Sequence, residues 1–449
     1  MPAELDLFIA AARAERGGLF DPRLPITVAR APAWVDLLGG ADPAGGSLAL
    51  GWPLADSSFV ALQPVPEPSL RIQLSGGASA EIGLDLLQGA DGWPHEYAAA
   101  AAGCATLPEA IRAVAAAWLA LMREEFARFP GGARLLLRPA GGPQRALSIV
   151  TATAQALVSA YGVRLPPREL ALACQMGLDR LVGLSAGALG PITAVSGAEG
   201  ELLLLHQQPA WLWGSVRLPY GSAIWALRVG DGPPPPPART STAAAMAARM
   251  LADAAGLSEE AAAERWRGYL ANVGTAHFER RYRDLLPAQL SGADYLARYG
   301  QPAHGPPIDP AEVYPLRAAA ALPLEEHLRA RTAVALLRAA ASKSQREDDL
   351  QLVGELLAQS HWAQRAAGYG DTHADALADM VNAAGPGEGL YGARAAAAPS
   401  GANVVVLGRA DGDTALRAIA TVYAERSGIT TAVFGGSAPG CGPAGAREI

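Results

Sequence analysis

Residues 389–409, GLYGARAAAAPSGANVVVLGR, hold Gly392, Ser400 and Gly401 in the framework of a turn whose backbone amides could close around a phosphate. Alanines 395 to 398 and Pro399 stand between them. Each alanine Cβ fills space that glycine leaves open to a ligand, and the proline removes an N–H donor. Arg394, just ahead of the alanine run, is placed to reach an anion at such a turn. The segment has the frame of a binding loop and a filled interior.

Three other stretches carry comparable signals. ARAPAWVDLLGGADPAGG (29–46) sets Trp34, Asp36, Gly39, Gly40 and Asp42 close together on a strand and a glycine-rich turn. PAGGPQRALS (139–148) puts Arg145 at a helix start, where a cation and free amides suit an anion, with Ser148 three residues on. VGLSAGALGPITAVSG (182–197) contributes Gly187 and Gly190. Trp34 has two readings of equal weight: an apolar wall for a ligand, or a side chain filling a pocket.

Other chemistries are narrowed by composition. Lys343 is the only lysine, which excludes a GxxxxGK[ST] phosphate loop and leaves Schiff-base chemistry to one solvated segment, ASKSQRED. Cys104, Cys174 and Cys441 lie far apart without CxxC or Cys/His spacing, so neither a disulfide framework nor a metal site is expected. His95, His206, His361 and Asp179 read as structural polar groups.

These residues need elements to position them. Residues 24–65 alternate short β-like runs with Gly/Pro turns. Helices are predicted over 109–129, over LSIVTATAQALVSAYG and over PPRELALACQMGLDRLVG, with a strand at LLLRP before the Gly-rich turn. Strands resume at GELLLLHQQ, SVRLP and AIWALRV. The run GDGPPPPPART (230–240) follows; a polyproline segment suits a linker, a lid or a ligand for a proline-reading partner. A helical half then ends in helix, strand, helix, strand, the order of an α+β unit with helices on one face of a small sheet.

The chain has 449 residues, half of them hydrophobic and 18% charged, with a net charge of -7. That is globular, and the acidic balance argues against nucleic acid. No run of strongly apolar residues is long enough for a membrane span, and the N-terminus has no basic region ahead of its apolar stretch. The cytoplasm is the expected compartment.

Taken together, ARAPAWVDLLGGADPAGGSLALGWPL, AGGPQRALSIVTATAQALVSAYG, VGLSAGALGPITAVSG and YGARAAAAPSGANVVVLGR resemble four motifs of the GHMP small-molecule kinases, and within them the galactokinase- and arabinokinase-like sugar 1-kinases. The resemblance covers roughly residues 24–441, including LSGADYLARYG and LLAQSHWAQ. It implies an α+β, two-domain architecture: an N-terminal α/β domain over 1–229, the proline-rich segment 230–240, and a C-terminal ferredoxin-like domain over 241–449. Nucleotide and sugar would lie between the domains.

The same resemblance places the family's chemical groups on residues that cannot perform them. The arginine of the APGR motif falls on Trp34, the catalytic aspartate on Gly190, and the serine run on Gln144, Arg145 and Ala146, or on Ser148 in an alternative register. The sugar-turn positions fall on Gly40, Ala41 and Pro43, with Asp42 one residue out of register. The expectation is a pseudokinase binding a small molecule in the interdomain cleft, with a protein partner as the second candidate. The alternatives are an enzyme repurposed for other chemistry in that cleft, and an active sugar 1-kinase. No cofactor is expected, ATP and Mg²⁺ entering only with the kinase reading, and no catalytic group is assigned.

Overall fold

A computed structural model describes residues 2–184, 187–230, 238–301, 307–341, 346–396 and 402–449. Ser400, Gly401, Lys343, Ala397, Ala398, Pro399 and the proline run 233–237 therefore lie outside the described residues.

The strands are β1 (Thr27–Leu38), β2 (Leu48–Val65), β3 (Ser69–Leu74), β4 (Ser79–Gly83), β5 (Gly132–Arg138), β6 (Glu201–His206), β7 (Trp211–Arg217), β8 (Ser222–Val229), β9 (Leu290–Ser291), β10 (Val313–Tyr314), β11 (Leu390–Ala396), β12 (Ala402–Arg409), β13 (Thr431–Phe434) and β14 (Arg447–Glu448). In the first half α1 (Pro2–Ala14), α2 (Tyr97–Cys104), α3 (Glu109–Arg123), α4 (Arg145–Ala160), α5 (Pro167–Gly177) and α6 (Leu189–Ser196) flank them. The second half adds α7 (Ala238–Ala254), α8 (Glu259–Trp266), α9 (Thr275–Arg281), α10 (Gly292–Tyr299), α11 (Leu316–Ala340), α12 (Arg346–Ala367), α13 (Thr372–Ala384), α14 (Asp413–Ser427) and α15 (Cys441–Ala444). This is the expected mixed α+β architecture.

Two sheets organise the molecule. The first runs β14-β1-β2-β5-β3-β4, with β6 pairing the early part of β2 and β7 beyond it. The second is a four-stranded antiparallel sheet, β11-β12-β8-β13. Strand β8 lies ahead of residue 230 in sequence, yet its hydrogen bonds are in the second sheet. Helix α7 begins at Ala238, inside the segment expected to be linker.

The alternation along β1 explains how the site is faced. Ala29 and Ala31 pack with α3, α4 and α5 on one side of the first sheet. The pairing with β2 slips between Pro32 and Trp34. A slip of one residue exchanges the faces of every later side chain. Ala33, Val35 and Leu37 therefore pack toward α11, α12 and β12, while Trp34 turns to the helical side. The apolar layer under Val35 and Leu37 joins the two halves, because α11 supplies Ala330, Ala333 and Leu337 to it and β12 supplies Val405 and Leu407.

Helix α3 stops at Arg123, short of the predicted 129. Glu125 takes a left-handed conformation (φ 60°), which a continuing helix cannot include. All three cysteines are buried and unpaired, and burial pushes the Cys174 thiol up to about 12. None has the electropositive, exposed setting of a reactive thiolate.

Candidate functional site

The turn between β1 and β2 is the centre of the region. Gly39 (φ +86°) makes its entry: a Cβ there would sit 1.9 Å from the Leu48 carbonyl oxygen. Its N–H donates to Glu326 Oε2 of α11 at 3.1 Å, and its carbonyl accepts from Ser47 Oγ (2.6 Å) and Gln207 Nε2 (3.0 Å). The Gly40 N–H donates to Asp36 Oδ2 at 3.0 Å. Both glycines shape the turn. Farther along it, a Cβ on Gly45 would meet Pro323 of α11, and one on Gly46 would meet Tyr269. The turn is thus clamped against the C-terminal half.

Asp42 lies inside that clamp. It is buried, and the amides of Ala44 and Gly45 donate to its carboxylate. Burial pushes its carboxyl up to about 6, the two amides pulling the other way. Tyr369, after α12, is held far above the usual phenol range by burial and by the Asp42 charge beside it. Gln207 Oε1 is buried without a hydrogen-bond partner, as is Trp34 Nε1 on the helical side of the first sheet. A would-be Cβ on Gly187 (φ +59°) touches Pro43 and approaches Gln207 Oε1 at 3.9 Å, tying Gln207 to the turn.

Because Asp42 holds its proton more tightly folded than unfolded, it contributes stability that is fully present below about pH 3.8 and is lost as pH rises through about 6. Asp42→Asn is expected to stabilise the ligand-free protein by about 3 kcal/mol at about pH 8 and hardly at all near pH 3. Urea melts at the two pH values measure this; equal effects would show that the carboxylate is not desolvated.

Trp34 and Gly190 meet face to face. A Cβ on Gly190 would lie 2.4 Å from Cε2 and Cζ2 of the indole. The ring fills the space that a side chain at 190 would need, so the filling reading of Trp34 holds, with its indole N–H left over.

The amides ahead of α4 are also occupied. Asp56 Oδ2 accepts the Gly142 N–H at 2.6 Å, and its carboxylate also takes the Gly141 amide. The Phe434 ring packs over both glycines, its atoms starting 3.3 Å from a would-be Cβ. Burial pushes the Asp56 carboxyl up while these amides hold it down. A carboxylate of the chain itself thus satisfies donors that a helix N-terminus offers to a phosphate.

Four sequence-based expectations are corrected here. Arg394 does not reach out to an anion. It is fully buried, donating from Nε to Leu37 O (2.7 Å) and from Nη2 to Asp36 O (2.6 Å) and to the Asp36 carboxylate. The β11 backbone alternates, and position 394 faces β1 rather than the loop. Arg145 is drawn sideways to Glu109 at 3.3 Å. Ser148 is buried in a relay: Ala140 N–H donates to Ser58 (2.9 Å), Ser58 meets Ser148 (2.7 Å), and Ser148 donates to Arg145 O (2.8 Å). Asp36, expected at a pocket, is the partner of Arg394 instead. Ser400 lies outside the described residues.

The histidines are structural as read. His361 Nδ1 accepts the Ala395 N–H at 3.2 Å, fastening α12 to β11; His95 meets Asp85 O at 2.9 Å; His206 stacks on Trp211. Sequence reasoning missed Asp56, Phe434, Gln207 and Tyr369. They are ordinary residues in ordinary segments, and only the tertiary fold brings them to the glycine turns.

Ahead of α4 the backbone donors and the serine hydroxyl are engaged within the chain. The described residues include no group of three or more His, Cys, Asp or Glu arranged to hold a metal. No helix among the described residues is long and apolar enough to cross a membrane.

Comparison with known proteins shows one similarity in sequence and a shared fold. The chain is 29% identical over 504 residues to the L-arabinokinase of Arabidopsis thaliana, covering 97% of this chain and 48% of the relative. It thus spans about half the length of that curated protein. The galactokinase of Lactococcus lactis, solved with galactose, superposes with a TM-score of 0.71 at 15% identity over 98% of this chain and 100% of that one. The mevalonate kinase of Methanococcus jannaschii gives 0.53 at 12% identity, over 92% and 98%. No family model matches the chain.

Proposed function

We propose, for a chain with the GHMP kinase fold and arabinokinase-like sequence kinship, that the cleft around Asp42 binds a sugar or similar polyol and that no phosphoryl group is transferred there from ATP. The observation that supports it is the unequal pairing of the polar groups at two turns, the one ahead of α4 and the one between β1 and β2. Ahead of α4 the amide donors are satisfied by Asp56 and covered by Phe434. At the β1–β2 turn Asp42 and Gln207 hold buried polar atoms, Gln207 Oε1 without a partner. Buried polar atoms are normally paired, and a ligand rich in hydroxyls would pair these.

Asp42 would accept a hydroxyl proton in a hydrogen bond, Gln207 Oε1 would accept a second, and Tyr369 would close one side. Trp34 and Gly190 leave no carboxylate and no cation at the two positions where the family resemblance places proton handling and charge neutralisation. Sugar affinity should rise as pH passes about 6 and Asp42 ionises.

A second reading, an active sugar 1-kinase, is favoured by the kinship with L-arabinokinase and by the buried position of Asp42, which could hold an attacking hydroxyl. Calorimetry separates the two. Titration with L-arabinose or galactose is expected to give saturable 1:1 heat, and titration with ATP and Mg²⁺ no heat, with or without the sugar. Nucleotide heat at 1:1 stoichiometry, or phosphorylated sugar in an assay, would replace the first reading by the second. Absence of heat with either sugar and with other polyols would remove the sugar-binding claim.

A further inference from the structure

A second cavity, unused by anything above, lies where β14 ends against β1. Val28 pairs with Arg447 there, and Arg30, two residues along β1, shares the Val28 face. Leu5 of α1 and Pro439 and Ala444 of the C-terminal segment wall the space, about 390 Å³, with Glu199 at its rim. Trp34 is four strand residues away, about 13 Å at the strand rise, and lies across the β1 slip.

Arg30 is the unusual group in this cavity. It is only 9% exposed. Its hydrogen bonding among the described residues is a single contact, Nη1 to Ser57 Oγ at 3.5 Å, the outer limit of such a bond. A guanidinium carries five N–H donors. The Glu199 charge favours the cation without closing an ion pair within 4.0 Å, and Arg447 is a like charge alongside; burial is the main effect that lowers its pKa. No Arg30 nitrogen is among the fully buried atoms without a partner, so its remaining donors reach the cavity itself, where an anion would pair them.

We propose that the Arg30–Arg447 cavity is a binding site for a small organic acid, its carboxylate on the two guanidinium groups and its apolar body against Leu5, Pro439 and Ala444. Two arginines facing one glutamate leave a single positive charge, which matches a monoanion. The largely apolar walls match a hydrocarbon body; an inorganic oxyanion would leave them uncovered.

The test is calorimetry and thermal shift with benzoate and hexanoate, and with phosphate and sulfate as the competing source of negative charge. One or both organic acids should bind saturably. Arg447→Ala should weaken that binding about tenfold, and Arg30→Met should abolish it. Without ligand, Arg30→Met should be about as stable as the parent protein, because the arginine makes one long hydrogen bond among the described residues; a structural arginine would give a clear loss. Should Arg30→Met fail to fold, the stability argument is lost and the proposal falls with it unless Arg447→Ala still shows the tenfold loss. Phosphate or sulfate binding as tightly as benzoate overturns the organic-acid assignment. No saturable binding of any of the four, or binding unchanged in both variants, overturns the site.

Discussion

Arg394→Met is expected to be the most damaging single substitution in the protein, costing about 3–5 kcal/mol in a denaturant melt. The side chain is fully buried and joins β11 of the second sheet to β1 of the first through the Asp36 carboxylate and two backbone carbonyls. Burial pushes the Asp36 carboxyl up and Arg394 pulls it back, so removing the arginine strands a buried carboxylate and two carbonyl acceptors. Against a typical total of about 5–15 kcal/mol, this is enough to leave much of the protein unfolded. Adding Asp36→Asn should restore part of the loss, since no charge is then left unpaired. A loss under about 1 kcal/mol in the single variant would show that Arg394 is free to turn toward the neighbouring loop.

Gly190→Ala should change sign with its neighbour. In the parent protein the new methyl meets the indole of Trp34 at 2.4 Å, and rigid-ring overpacking of this kind costs about 1–3 kcal/mol. In a Trp34→Ala background the obstacle is gone. Alanine in a helix is then better than glycine by about 0.5–1 kcal/mol, so the same change should stabilise. A double-mutant cycle measured by urea melts therefore predicts a coupling of about 2–4 kcal/mol, the sum of the two opposing effects. Additive behaviour would mean that the two positions are not packed as one unit.

Much of the fold was legible because it is written in local patterns. The helical spacing within 109–129, though not its end at Arg123, the strand at LLLRP and the glycine-rich turn before α4 were all readable, and the four quoted motifs together carried the architecture. What escaped is non-local. The β1 slip that exchanges faces at Trp34 leaves no mark in the pattern of small and apolar residues. Asp56 is one polar residue in a long strand, and nothing in LADSSFV announces that it will accept the amides of Gly141 and Gly142. Arg394 was misread for the same reason: its sequence neighbourhood is the loop, while its spatial neighbourhood is β1. The Trp34–Gly190 contact was half legible, both departures being visible and their mutual fit not.

The placement of β8 bears on how the chain comes off the ribosome. Its hydrogen-bonding partners β12 and β13 are both encoded far downstream, so a nascent chain carries Ile224, Trp225, Leu227 and Val229 on a strand with open edges until most of the C-terminal half has emerged. Separately expressed halves split at the proline run should each precipitate, whereas co-translated or co-expressed halves should recover each other.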